Sequence, residues 1–358
     1  MKHTRLLLFV GLAVLLIGLG FGVATWTNRP MGRVLVLQTP TGVVASPTVQ
    51  QVSKQESTAA APVEKTATVM GITPTASSTT PPNKTVGNCG NTGRMRLMVI
   101  GLTTPTGEEV LGADAIRLVT IDFDQPSAAV MTLPAMLWVD MPALAGQSVE
   151  KNYLTMVYAK AYIAAKGEPE QERAQKAIQA LAQTIVDNYG YVPDHYIAID
   201  DAAFIKYVDI LGGIEINLPK AVDGTLEGYG LYPAGPQKLD GTRTLNFARL
   251  FHPGGMKGRD VWGNLERQNI VVKAILTAIL KPQNLIKIPS LIKEARQVVI
   301  TDLSLNQTLD LACMAQNVGK SARMLAVGEN MVRLDGQGRM IADTEAIKRL
   351  IADMEGGH

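Results

Sequence analysis

The sequence predicts a layered α/β domain on a mixed sheet, and three of its features carry that expectation. Short apolar runs follow one another closely from Met95, as MRLMVIG, IRLVTID and AAVMTLP, each of strand length and rich in branched residues. Longer segments then take up helical spacing. In residues 171–189, Ala174, Ile178, Leu181, Ala182 and Ile185 fall on one face. Strands and helices interleave beyond that point, which argues for layers, while the hairpin-close early strands make the sheet mixed.

In chain order, residues 6–24, LLLFVGLAVLLIGLGFGVA, carry no charge and follow Lys2 and Arg5. That length suffices to cross a bilayer. A cleaved signal peptide is the alternative, with Gly22 and Ala24 as the small residues of a cleavage site. Its core usually runs to about 7–15 residues, so the sequence favours an uncleaved anchor. Either reading places the remainder outside the cytoplasm, as the single-pass arrangement of a membrane protein. Residues 1–29 are thus a tip and anchor. Residues 30–88, rich in Thr, Pro, Ser and Ala, form a disordered spacer that cannot bury enough surface to order itself. The α/β domain occupies 89–318 and a small strand-and-helix extension 319–358.

Within the domain, residues 154–166 and 171–189 read as helices, the second stopped by Gly190. His195 to Ile199 form a strand, and Asp200 or Asp201 caps a helix bearing Phe204, Val208 and Leu211. Gly212 and Gly213 end that helix, and Ile214 to Leu218 alternate as a half-buried strand. Residues 264–280 return to helical spacing through Leu265, Ile270, Ile275 and Ile279, and a late helix spans about Leu305 to Val318. Cys89 and Cys313 are the two cysteines of the 358-residue chain. An exported pair can be oxidised, yet Cys313 in LDLACMA also reads as a buried small residue, so pairing stays open.

Lys and Arg number 34 against 32 acids, so partners are set by local clustering and not by overall charge. Neither a basic face nor cytoplasmic placement is on offer, which argues against nucleic acid as a partner. Close His or Cys ligand spacing, a nucleotide phosphate loop and a Gly-x-Ser-x-Gly elbow are all absent from the sequence. The basic signal that does stand out lies after Pro236, where Arg249, Arg259, Arg267 and Gln268 occur in a stretch otherwise able to pack. Guanidinium forks suit phosphate oxygens.

The order VDILGG, Leu239-Asp240-Gly241, Asn246-Phe247-Ala248-Arg249 and Arg267-Gln268 resembles the LytR-CpsA-Psr (LCP) family from about Arg94 to about Leu280. The resemblance implies a three-layer helix-sheet-helix sandwich enclosing an apolar groove. It also implies a membrane-anchored extracytoplasmic transferase that moves a glycopolymer from an undecaprenyl pyrophosphate carrier to a cell-wall acceptor through phosphoryl transfer. On that pattern Asp114 helps to hold Mg²⁺, while Arg249 and Arg267 grip phosphate with Gln268 in support. Several family positions are replaced here. Thr103 stands for an aspartate, Gly112, Phe251 and Asn264 for arginines, and Ala135 and Met136 for an Arg-Asp pair. His252 or Arg117 would have to compensate from positions outside the pattern. These replacements leave a polyprenyl pyrophosphate binding module without turnover as the alternative to an active transferase, and a transcriptional attenuator as a more distant one.

Overall fold

The computed structural model of the chain describes residues 28–38, 89–103, 112–141, 151–285, 299–318 and 321–356. The apolar run 6–24 and most of the spacer lie outside these residues. Among the described residues no helix is long and apolar enough to cross a membrane.

Strands β1 (Arg94–Thr103), β2 (Gly112–Asp122) and β3 (Ser127–Leu133) pair antiparallel, as their short connections require. Helices α1 (Leu154–Ala164) and α2 (Glu170–Tyr189) follow, and Gly190 closes α2 in the left-handed conformation. Strand β4 (His195–Asp200) then pairs parallel to β1 after this helical crossover. Asp200, not Asp201, caps α3 (Asp201–Ile210), accepting from the Ala203 amide at 2.7 Å.

Strand β5 (Ile214–Leu218) pairs with β6 (Gly235–Leu239) as a separate ribbon. Helices α4 (Gly241–Arg249) and α5 (Val261–Ile279) come next; α5 starts at Val261, earlier than its apolar spacing alone indicates, because Asp260 caps it. Strand β7 (Val299–Thr301), helix α6 (Leu305–Val318), strand β8 (Arg323–Ala326) and helix α7 (Thr344–Gly356) complete the fold. The main sheet runs β7-β4-β1-β2-β3-β8, so Arg323–Ala326 extend it parallel to β3 from beyond residue 318.

Alternation divides that sheet into two faces. Met98, Ile100, Ile116, Leu118, Met131 and Leu133 pack on α1, α2 and α7 through Val157, Ile178, Leu181 and Ile347. On the other face lie two smaller clusters. One joins Leu97 and Ile121 to Met314 and Val318 of α6, beside a Cys89–Cys313 disulfide with Cα atoms 5.6 Å apart. The other joins α3, the β5–β6 ribbon, α4 and α5 through Val208, Ile214, Phe247 and Val271.

The described start of the spacer packs against the domain. Gln179 and Gln183, one turn apart on α2, hydrogen-bond the backbone of Val36 and Gln38 respectively, on both the amide and carbonyl sides. The Met31 amide donates to the Leu303 carbonyl and Tyr196 donates to that of Arg33, fixing the segment along α2 and the β7 edge.

Candidate functional site

Helix α5 is amphipathic in an unusual way: the stripe it turns inward is polar where it begins. Asn264, Arg267 and Gln268 are 3%, 6% and 7% exposed, and they recur at helical spacing from the cap residue Asp260. Each is answered. Asp260 uses one carboxylate oxygen to accept from the Gly263 amide at 3.0 Å and turns the other to Arg267 Nη1 at 3.1 Å. Arg267 Nη2 donates to the Leu250 carbonyl. Asn264 Nδ2 donates to the carbonyls of Ala248 at 2.7 Å and Leu250 at 3.3 Å, while its Oδ1 accepts from Gln268 Nε2 at 2.9 Å. The end of α4 is thereby tied to the start of α5.

Arg249 is the last residue of α4, and its Nη2 lies 2.7 Å from Asp201 Oδ2 at the head of α3. The approach of those two helices depends on Gly241: a Cβ there would sit 2.3 Å from the Ile205 carbonyl oxygen. The obvious carboxylate by sequence, Glu266, is exposed and serves neither arginine. Adjacent helical residues do not face one another, so Glu266 points away from Arg267.

The network reaches the sheet through Gln268, whose Oε1 accepts from Arg117 Nη2 at 3.5 Å. Arg117 lies on β2 between Val99 of β1 and Thr132 of β3, on the face toward α5, and Thr132 donates to Asn269 Oδ1 at 2.9 Å. Arg117 is 8% exposed, and burial pulls its guanidinium down to about 10. His252 is otherwise engaged, its Nδ1 2.9 Å from Glu227 Oε1, which also accepts from the Phe251 amide at 2.9 Å. Arg259 stacks 5.3 Å above the Phe251 ring.

Asp114 sits three residues before Arg117 on β2, at a bulge where the partners of β1 jump from Ala115 to Ala113. A bulge re-aims the extra side chain. Its carboxylate accepts from the Thr103 hydroxyl and, at 2.8 Å, from that of Thr155. Among the described residues no group of three His, Cys, Asp or Glu side chains is arranged to hold a metal ion. A hard cation that keeps its waters and binds phosphate needs only one or two protein carboxylates, and a carboxylate flanked by two hydroxyl oxygens fits that minimal role.

The structure therefore brings Arg267, Gln268 and Arg117 into one hydrogen-bonded chain and sets Arg249 beside it through the backbone of α4. Among the described residues no hydrogen bond or ion pair joins Asp114 to that chain. Asp260 and Asn264 are the members that sequence reasoning left without a role. Their signal was the spacing 260, 264, 267, 268 on one helical face.

A family model, LytR_cpsA_psr, matches residues 49–355. Regulatory protein MsrR of Staphylococcus aureus (strain COL) is 25% identical over 216 residues, 60% of this chain and 58% of that protein. Polyisoprenyl-teichoic acid--peptidoglycan teichoic acid transferase TagU of Enterococcus faecalis is 27% identical over 158 residues, 42% of this chain and 50% of that protein. The chain thus spans less than two thirds of the length of these curated relatives. The solved structure of a LytR-Csp2A-Psr enzyme from Actinomyces oris matches in fold with a TM-score of 0.56 at 20% identity, over 76% of this chain and 92% of that one. With a family model running across most of its length and a shared fold, the chain belongs to the LytR-CpsA-Psr family.

Proposed function

We propose that the protein is a cell-envelope transferase that takes a glycopolymer from a polyprenyl pyrophosphate carrier and joins it to a cell-wall acceptor, working outside the cytoplasm from a membrane anchor at residues 6–24. The observation that carries this reading is the buried arginine-glutamine pair of α5, held in place by Asp260, Asn264 and the end of α4. It is supported by the family match and by the substrate named for TagU. Phosphoryl transfer asks a protein chiefly for positioning and for relief of charge on the phosphate oxygens. Arg267 and Arg249 would face those oxygens, with Gln268 orienting the groups around them. Asp114, supported by Thr103 and Thr155, would hold Mg²⁺ against the diphosphate, and the ion would supply neutralising charge there. The carrier's tail would lie on the apolar surface of the sheet that Val99, Gly101, Ala115 and Ile199 leave partly exposed.

A second reading, a module that retains the carrier without turning it over, is favoured by one observation. Asn264 stands where the family resemblance expects an arginine, and its amide is committed to two backbone carbonyls. The test is transfer of a glycan from a polyprenyl diphosphate by the full chain with Mg²⁺, compared with Asp114→Asn. Turnover lost in the variant with carrier binding retained supports the transferase. Carrier binding without turnover in either protein overturns it in favour of the module.

A further inference from the structure

We propose that Arg117 is a further diphosphate-binding residue of this site, standing outside the positions at which the family resemblance expects one. The proposal rests on the reading above that the site holds a carrier diphosphate. Among the described residues two basic side chains are buried, Arg267 and Arg117. Arg267 has Asp260 within ion-pair distance. Among the described residues Arg117 has no acid within ion-pair distance: its polar contact is the neutral Gln268 amide at 3.5 Å, and its Nε, like that of Arg267, is buried without a hydrogen-bond partner.

A guanidinium does not escape this situation by losing its proton near neutral pH. Burial of such a charge is costly until an anion meets it, and a diphosphate oxygen is the anion class that a guanidinium fork matches. The setting is rigid, because β2 is flanked by β1 and β3 and its register with both is continuous through Arg117. Gln268 is locked by Asn264, so the amide oxygen that orients the fork is fixed as well. Beside it on the same face, Ala115 with its single methyl and Gly101 with no side chain are partly exposed.

The experiment is calorimetric titration of the full chain in detergent with inorganic pyrophosphate and, separately, with geranylgeranyl diphosphate, repeated for Arg117→Met, Arg117→Lys and Arg267→Met. Arg117→Met is expected to weaken both ligands about ten- to a hundredfold, as loss of a hydrogen bond to a charged group does, with Arg117→Lys recovering part of that. Tighter binding of the prenyl ligand identifies the source as a lipid headgroup and equal binding identifies it as free diphosphate; both keep the role of Arg117. Wild-type affinity in Arg117→Met, with binding lost in Arg267→Met, overturns the proposal and leaves the wider site reading standing. Failure of the wild type to bind either ligand overturns both. Should Arg117→Met not fold, the Nε–H resonance of Arg117 in the wild type decides: pyrophosphate must shift it, and an unmoved signal overturns the proposal.

Discussion

The two faces of the central sheet are built from alternate residues of the same three strands, yet they obey different rules. Toward α1, α2 and α7, the strands present Met98, Ile100, Ile116, Leu118, Met131 and Leu133, none more than 1% exposed. Toward α5 they present Val99, Gly101, Ala115, Arg117 and Thr132, against Gln268 and Asn269. The first face is ordinary close packing, in which each apolar side chain removed from water stabilises the fold. The second holds a guanidinium in a position where stability alone would place a leucine. A sheet that is optimised on one side and strained by charge on the other is the pattern expected where a ligand completes the second side.

The contrast can be attacked from the apolar face first, where the effects are largest. Burial holds the phenols of Tyr158, Tyr189 and Tyr191 well above the usual tyrosine range. The folded chain keeps these protons while the unfolded chain releases them above pH ~10, so stability is intact below that pH and falls as pH rises beyond it. The loss is expected to reach about 4 kcal/mol by pH 11, read as a falling urea midpoint. Arg117, pulled down to about 10, acts with the opposite sign over the same range but is a single group. A flat midpoint from pH 9 to 11 would break the description of this face. Leu118→Ala should cost about 2–5 kcal/mol in the same assay, because it opens a cavity among fully buried side chains.

On the polar face the expected costs are smaller and differ in kind. Arg267→Met should destabilise by about 2–3 kcal/mol, somewhat below the usual figure for a broken buried pair because Asp260 keeps contact with water. Asn264→Leu should cost about 1–3 kcal/mol, since the Ala248 carbonyl and the Gln268 amide lose their Asn264 partner together, while the Leu250 carbonyl keeps Arg267. Arg117→Met in the ligand-free protein should leave stability within about 1 kcal/mol of the wild type or raise it, because an unanswered charge is replaced by an apolar chain of similar length. A loss comparable to that of Leu118→Ala would place Arg117 among the stabilising core and dissolve the contrast.

The apolar face was legible in the sequence, because IRLVTID is a branched apolar run of strand length and residues 171–189 keep a period of 3.6 set by burial on one side. The helix at Leu305–Val318 and the strand at His195 follow from the same signal. Strand β8 was not legible as part of the main sheet, since four residues, RMLA, carry little pattern and their parallel pairing with β3 spans most of the chain. The site was legible only where an ordered motif, Arg267-Gln268, survives. The partners of its arginines differ: Asp260 shares a helical face with Arg267, a spacing the sequence carries, whereas Asp201 meets Arg249 from another helix, a distance that only the assembled fold defines. Arg117 was visible as a lone charge in an apolar strand, but not its lack of an acidic partner among the described residues, which depends on what α5 brings opposite it.

The central claim is that the polar face is completed by a diphosphate. Its most direct measurement is the thermal midpoint of the full chain in detergent as geranylgeranyl diphosphate is added. The midpoint should climb steadily with the logarithm of ligand concentration once past the dissociation constant, as binding to the folded state alone requires. A midpoint that stays level up to millimolar ligand would contradict it.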